Sequence, residues 1–590
     1  MSDFRVEEYS TDVLILGGGV AGLAAAIRAR ERGAKVVVLE KSHAERSGNA
    51  GSGIDHIQGY VPEFHRQIGY SEEDMIEDQY GWGGNPGRLN RRDLIEIFVR
   101  HSGHDVIELE RYGLKFRFAD SKLPGGFRVV PQWHYVPTSY NFEGRDLKRA
   151  LNDRALELGA VILNRRHVRE LIKDGPAVTG AVALGTRDRV VTVVRAKTTV
   201  VATSGITSRI TAGVTGSDTF ERFAAPSASV GSGKVLAAKA GAAVVNLEFS
   251  ALGSSYGLVN YSFSAGLPGG TWWPAGRVVD ENGVVVAERR YDLPLDDPDY
   301  RANYRRDIEK SGAQRKKIVE LLQQGQVLYF DLAEATTEEL DYIWWSLGHE
   351  GKSGVTKHYL AKRQVDLRKV KFPLRLGARR DVIASGVWVK RGTTETEVDN
   401  LYATGNELPA LGYSGGGTAL VLGYATGVEV AERAQTIPAP TSDAAPWVEA
   451  LLGQVERITA TRAGQTWQSG EHALTTLLDS YLGKPYSEKN LTQLAALLAR
   501  LRADLTLGAG NLHELNRALE VLDLYDLAEL VVAAARARKS SLGLFQRLDE
   551  KESAPEQEGV SVGVYWQDGR VKAIRLDNLF REERGDGYFH

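Results

Sequence analysis

The chain has 590 residues, 43% hydrophobic and 25% charged, a globular profile with length for about four domain-sized units. A formal net charge of -3 supplies no basic field, so nucleic acid is excluded as an expected partner, and no apolar run reaches transmembrane length. Cysteine is absent, which excludes a disulfide, a thiol nucleophile and a thiolate-held iron–sulfur cluster within this chain. The polar start, MSDFRVEEYSTD, does not read as a signal peptide, so a cytoplasmic location is expected.

The first elements form one unit, TDVLILGGGVAGLAAAIRARERGAKVVVLEK. Asp12 to Leu16 reads as a buried strand, Leu23 to Arg32 as a helix and Lys35 to Leu39 as a second strand. Gly17, Gly19, Val20, Ala21 and Gly22 fit G-x-G-x-x-G, the turn that brings a pyrophosphate to a helix N-terminus. Glu40 closes the second strand, where a carboxylate accepts from a ribose diol. ERSGNAGSGIDHIQGY follows, with glycines suited to close backbone approach and then Asp55, His56, Gln58 and Tyr60. Asp55 and His56 are neighbours in an extended segment, where consecutive side chains face opposite ways.

Later segments offer further candidates. His101 and His104 have i, i+3 spacing on a helix, a surface pair with no evident third ligand. PQWHYVPTSYNFEGR places Trp133, His134 and Tyr135 in a loop that either covers a ligand or packs on itself. TTVVATSG is a strand ending in small residues that include Ala202 and Thr203. GSGKVLAAKAG has glycines but no preceding strand, so it reads as a packing helix and not as a nicotinamide site. Trp272 and Trp273 either stack on a ligand or pack in a core. GARRDVIASGV offers Arg379 and Arg380, a fork suited to an anion or a solvated pair. VDNLYATGNELPALGYSGGGTALVLGYATGVEVAERA combines a strand, a Gly-rich loop with Tyr413, and a long helix.

In order along the chain, these motifs resemble the flavoprotein subunits of the succinate dehydrogenase, fumarate reductase and adenylylsulfate reductase family. The resemblance rests on GGGVAG, LEK, RSGNAGSG, the FEGRDLKRAL helix, ATSG, YATGN, the last Gly-rich helix and Arg538, Ser540, Gly543, Arg547 and Asp549 of an R-x-S-x-G-x-x-x-R-x-D pattern. It implies FAD as cofactor. Ser47, Gly48, Asn49, Gly51, Ser52 and Gly53 would lie under the flavin, with Lys41, Val168, Ala202, Thr203, Asn406, Thr418, Ala419 and Leu420 as further contacts. Gly48 stands where membrane-bound members carry a flavin-linked His, so the resemblance implies non-covalent FAD, as in adenylylsulfate reductase. By the same resemblance, the carriers onward from a cysteine-free chain would sit on an iron–sulfur, ferredoxin-like partner.

The family's four dicarboxylate residues, two His and two Arg, are replaced near Gly253, Trp272, Asp381 and Tyr413–Ser414, which argues against succinate, fumarate or L-aspartate as substrate. His56, Arg380, Tyr413 and His134 remain as catalytic candidates, and no metal site is expected. His56 is read either as a proton carrier on the flavin's substrate side or as a hydrogen-bonded core residue. The expected fold is α/β: a two-segment Rossmann-like FAD domain over 1–250 and 366–440, an inserted α+β cap over 251–365, and a C-terminal helical domain over 441–590 ending in a β-hairpin tail. The expected function is an oxidoreductase subunit passing electrons between a small polar substrate and that partner, with assembly into an oligomer left open. The alternatives are a ketosteroid-dehydrogenase-like enzyme, which Tyr413 favours, and an electron-transfer flavoprotein without substrate turnover.

Overall fold

The computed structural model describes residues 4–580 except 83–84, 122, 129–138, 206–227, 251–255, 261–275, 289–313, 315–316, 319, 350–356, 359, 379–384, 413–414, 462–463, 483–484, 544 and 550–556. At its centre is a seven-stranded sheet. Strand Arg5–Leu16 lies between Val36–Glu40 and Val190–Val201 and is parallel to both, while Val161–Asn164 extends the parallel edge. Ala177–Gly185 and Arg166–Asp174 continue the other side in antiparallel pairing, and Leu401–Ala403 adds to the end of Val190–Val201. Val36–Glu40 is buried throughout, as the unbroken VVVLE predicts for a strand covered on both faces. The first strand begins before the expected Asp12, because Arg5–Thr11 pairs with Val190–Ala196.

A second, five-stranded antiparallel sheet has the order Tyr256–Asn260, Phe372–Ala378, Leu328–Asp331, Arg277–Asp280, Val285–Glu288. Its own core includes Val278, Leu328, Phe330, Ile343, Leu347 and Phe372. Strand Phe372–Ala378 pairs within this sheet, so cap-sheet residues continue past the boundary expected at 365. The cap helix Thr337–His349 starts with reciprocal bonds: Thr336 N–H donates to Glu339 Oε2 at 2.7 Å, and Glu339 N–H donates to Thr336 Oγ1 at 3.2 Å.

Helices Ala445–Ala460, Trp467–Tyr481, Glu488–Ala503 and Leu512–Ala537 follow. The last is buried along most of its length and reaches the FAD-binding body. The hairpin Val560–Gln567 and Arg570–Asp577 turns at Asp568-Gly569. It does not hang as a tail: Gly563 and Val564 pair with Val245 and Val244, which places the hairpin in a four-stranded sheet of the main body. The R-x-S-x-G pattern locks this return, since buried Arg538 donates to Glu248 at 2.5 Å and Arg547 pairs with Asp549 at 2.8 Å.

Candidate functional site

The turn after Leu16 is shaped by two close approaches. Gly17 has φ +104, and a Cβ there would stand 2.5 Å from the Ala202 carbonyl oxygen. A Cβ on Gly22 would stand 1.9 Å from the Gly17 carbonyl oxygen, so the helix Val20–Glu31 can pack on the turn only with glycine there. Gly19 caps this helix without a side-chain bond, leaving first-turn N–H groups for an anion. Glu40 is buried and braces the loop, with Oε2 accepting from Gly18 N–H at 2.7 Å and Oε1 from Ser42 N–H at 2.6 Å. Lys148 lies beneath the loop and donates to the Gly18 carbonyl. Burial brings its ammonium down to about 7, against the pull of the Glu40 charge.

Above the turn is a cavity of about 440 Å³. Gly17, Gly19, Glu40, Lys41, Ser47, Gly48, Val168, Ala202 and Thr203 all line it. Ser47 Oγ is buried without a hydrogen-bond partner among the described residues. An orphaned hydroxyl, an uncapped helix start and a cradle closed to any Cβ fit the nucleotide portion of FAD. Deeper, Thr203 Oγ1 donates to Glu407 at 2.6 Å, and fully buried Lys234 pairs with Glu407 at 2.6 Å and donates to the Asn406 carbonyl at 3.2 Å. Lys234 sits on helix Ser232–Ala240, the GSGKV segment, which is a packing helix as read from the sequence.

The last long helix braces residues of this cavity's lining from behind. Asp523 accepts from Arg169 at 2.7 Å and from Ser232 at 2.6 Å, and Asn516 contacts His167 at 3.2 Å. Burial alone would raise the Asp523 carboxyl, but the charge of Arg169 and the bonds from His167 and Arg169 hold it far below the usual carboxylate range. Lys41 pairs with Glu520 at 2.9 Å. Ser42, Arg166, His167 and Ser232 line the cavity without having been read from the sequence. Alternation in RRHVREL would have offered Arg166 beside Val168; nothing local in the sequence announces Ser232.

A second cluster lies where the cap meets strand Ile54–Gln58. A Cβ on Gly417 would stand 2.0 Å from the Gln58 carbonyl oxygen, so the start of helix Gly416–Thr436 packs directly on this strand. The strand pairs with Ser139–Gly144 through a bulge between Ile54 and His56. The bulge breaks the alternation expected for Asp55 and His56, and His56 Nδ1 meets Asp55 Oδ1 at 2.6 Å. Asp55 is only 1% exposed. Ser346 of the cap helix donates to its other oxygen, and Asn141 Nδ2 donates to the Asp55 carbonyl at 3.1 Å and to Tyr342 Oη at 3.2 Å. Burial would raise the Asp55 carboxyl, but the His56 charge and the bonds from His56 and Ser346 hold it below the usual range. His349 ends the same helix, packs tilted against Trp345 with centroids 4.6 Å apart, and has a buried Nδ1 without a partner among the described residues.

Of the catalytic candidates, His56 is therefore placed in a side-chain network, while His134, Arg380 and Tyr413 lie outside the described residues. So do Trp133, Trp272, Trp273, Arg379 and Asp381. Val20, Ala21 and Gly22 form the first helical turn, Asn49 Nδ2 reaches Ser204 at 3.4 Å, and Thr418 caps its helix through Gly415. Gly51, Ser52 and Gly53 lead into the Asp55 strand, and Ala419 and Leu420 continue the Thr418 helix. His104 comes together with Asp105 and Glu108, but Arg28 already contacts both carboxylates. Ser346, Asn141 and Tyr342 were not legible as partners of Asp55.

Residues 12–292 match the FAD binding domain family. The L-aspartate oxidase of Mycobacterium leprae is 30% identical over 245 residues, which is 41% of this chain and 43% of that one, so this chain spans less than half the length of that relative. The fumarate reductase flavoprotein subunit of Escherichia coli is 24% identical over 585 residues, 92% of this chain and 89% of that one. Among solved structures, adenylylsulfate reductase from Archaeoglobus fulgidus superposes with a TM-score of 0.76 at 20% identity, covering 98% of this chain and 97% of that one. That likeness establishes a shared fold.

Proposed function

We propose that this FAD-dependent oxidoreductase, whose residues 12–292 match the FAD binding domain family, exchanges electrons between a small polar substrate and an iron–sulfur, ferredoxin-like partner, with the Asp55–His56 pair handling the proton. FAD, held without a covalent link at Gly48, supplies the redox chemistry when bound. The pair is the observation that carries the reading. With Asp55 held ionised, His56 donates through Nδ1, and Nε2 is the nitrogen that gives or takes the substrate's proton. Ser346 and Asn141 position Asp55, so closure of the cap fixes the imidazole and excludes water in one movement.

The partner is supported by composition and by the relative. The Escherichia coli protein is a flavoprotein subunit. This chain has no cysteine, so any thiolate-held cluster downstream belongs to another polypeptide. The replacements near Gly253, Trp272, Asp381 and Tyr413 support a substrate other than succinate, fumarate or L-aspartate. Among the described residues no helix is long and apolar enough to cross a membrane.

The test is anaerobic reduction of the bound flavin, followed by reoxidation with fumarate, adenylylsulfate, an enone or a ferredoxin. Reoxidation by ferredoxin and by one small molecule other than fumarate is the expected result. Rapid reoxidation by fumarate would overturn the substrate reading. Reoxidation by ferredoxin alone would leave an electron carrier without turnover.

A further inference from the structure

A second cavity, of about 500 Å³, is lined in part by helix Leu512–Ala537, through Leu522 and Asp526. The two share strand Arg166–Asp174: His167 and Val168 line the first, Arg169 and Glu170 the second. The second is otherwise lined from helix Ser232–Ala240 and from the C-terminal helices, and no residue of the flavin reaction proposed above belongs to it.

Arg169, Lys239, Arg457 and Arg502 line it with Glu170 and Asp526. Asp526 is shared, meeting Lys239 at 2.6 Å and Arg502 at 2.5 Å, and Arg502 Nε also meets Glu529 at 3.3 Å. These pairs leave cationic N–H groups over: Arg169 spends its Nη1 on Asp523, and among the described residues its buried Nε has no partner, nor has Nη1 of Arg502. Arg457 has no side-chain ion pair or hydrogen bond among the described residues. A buried cationic donor without an acceptor, such as Arg169 Nε, is costly, and a bound anion removes that cost, while Arg457 adds a solvent-facing cation at the rim.

We propose that this cavity binds a small molecule carrying a phosphate or sulfate group. Three guanidiniums and an ammonium reach it from a strand and three helices, an arrangement matching an oxyanion with several acceptor oxygens better than a planar carboxylate taken by one fork. Thr461, Thr506 and Gln454 add neutral polar groups to the lining, and the volume exceeds a bare oxyanion, leaving room for the body of the molecule.

The experiment uses FAD-saturated protein, so that the nucleotide cradle cannot take the probe. Thermal midpoints are titrated with inorganic phosphate, sulfate, malonate and chloride at equal ionic strength. The expected result is saturable stabilisation by phosphate and sulfate, about tenfold weaker in Arg457→Gln. Arg457 is exposed on its helix, so that variant folds, and Arg500→Gln, outside the cavity, should bind like wild type. Equal effects of phosphate and chloride would overturn the proposal, as would an Arg457→Gln protein that binds like wild type. A response to malonate alone would overturn the stated ligand class.

Discussion

The turn at the floor of the nucleotide cavity is set by close backbone approaches within one run of chain, at Gly17 and Gly22, whereas under the cap the contacts come from side chains of three separate segments, 55–56, 141 and 342–346. The first arrangement needs glycine at set spacings and little else. The second needs an insertion to fold, dock and present a serine to a buried carboxylate. A site made of backbone tolerates variation in most side chains while keeping its ligand; a site shared by two folding units can be rebuilt for new chemistry without disturbing the cofactor. Cofactor retention and turnover should therefore separate by mutation.

The largest effect is expected at Gly22. Gly22→Val puts atoms where even a Cβ would lie 1.9 Å from the Gly17 carbonyl, and the purified protein should lack flavin absorbance. A yellow Gly22→Val protein would show that the cradle is not set by that contact. Next, His56→Gln should keep its FAD while turnover, followed with whichever acceptor the reoxidation experiment identifies, falls about 10²-fold. Loss of flavin from this variant would erase the distinction between the two regions. The smallest effect concerns the one side chain beneath the loop. Lys148 is depressed to about 7 by burial, so between pH 7 and 10 the unfolded chain binds more protons than the folded one. Urea midpoints of FAD-free protein should rise with pH across that window, and Lys148→Met should flatten the rise.

The same division explains what the sequence disclosed. G-x-G-x-x-G, its flanking strands and Glu40 are contiguous, and each has a mechanical reason that requires no knowledge of the rest of the fold. Helix Ser232–Ala240 was legible because no strand precedes its glycines. The Asp55–His56 pair was not, because strand alternation holds only while the ladder is regular, and the bulge between Ile54 and His56 is set by pairing with residues 139–144. Ser346 belongs to a helix nearly 300 positions away, at |i−j| = 291 from Asp55, and its serine has no local mark of function. The closing R-x-S-x-G pattern was recognised by resemblance, but its physical task, pinning the chain's return through Glu248, needed the fold.

Asp523, Glu520 and Asn516 also have a consequence for how the protein is made. The Gly17–Gly22 turn is synthesised long before helix Leu512–Ala537, yet lining residues of its cavity are tied to that helix, and the hairpin Val560–Gln567 and Arg570–Asp577 must return to Val244–Val245. Domains ordinarily fold in the order in which they are synthesised. Here the glycine turn is made long before the helix that braces its surroundings, so a chain interrupted before Leu512 would leave Lys41, His167 and Ser232 without their Glu520, Asn516 and Asp523 partners, and capture of the flavin should follow synthesis of that helix.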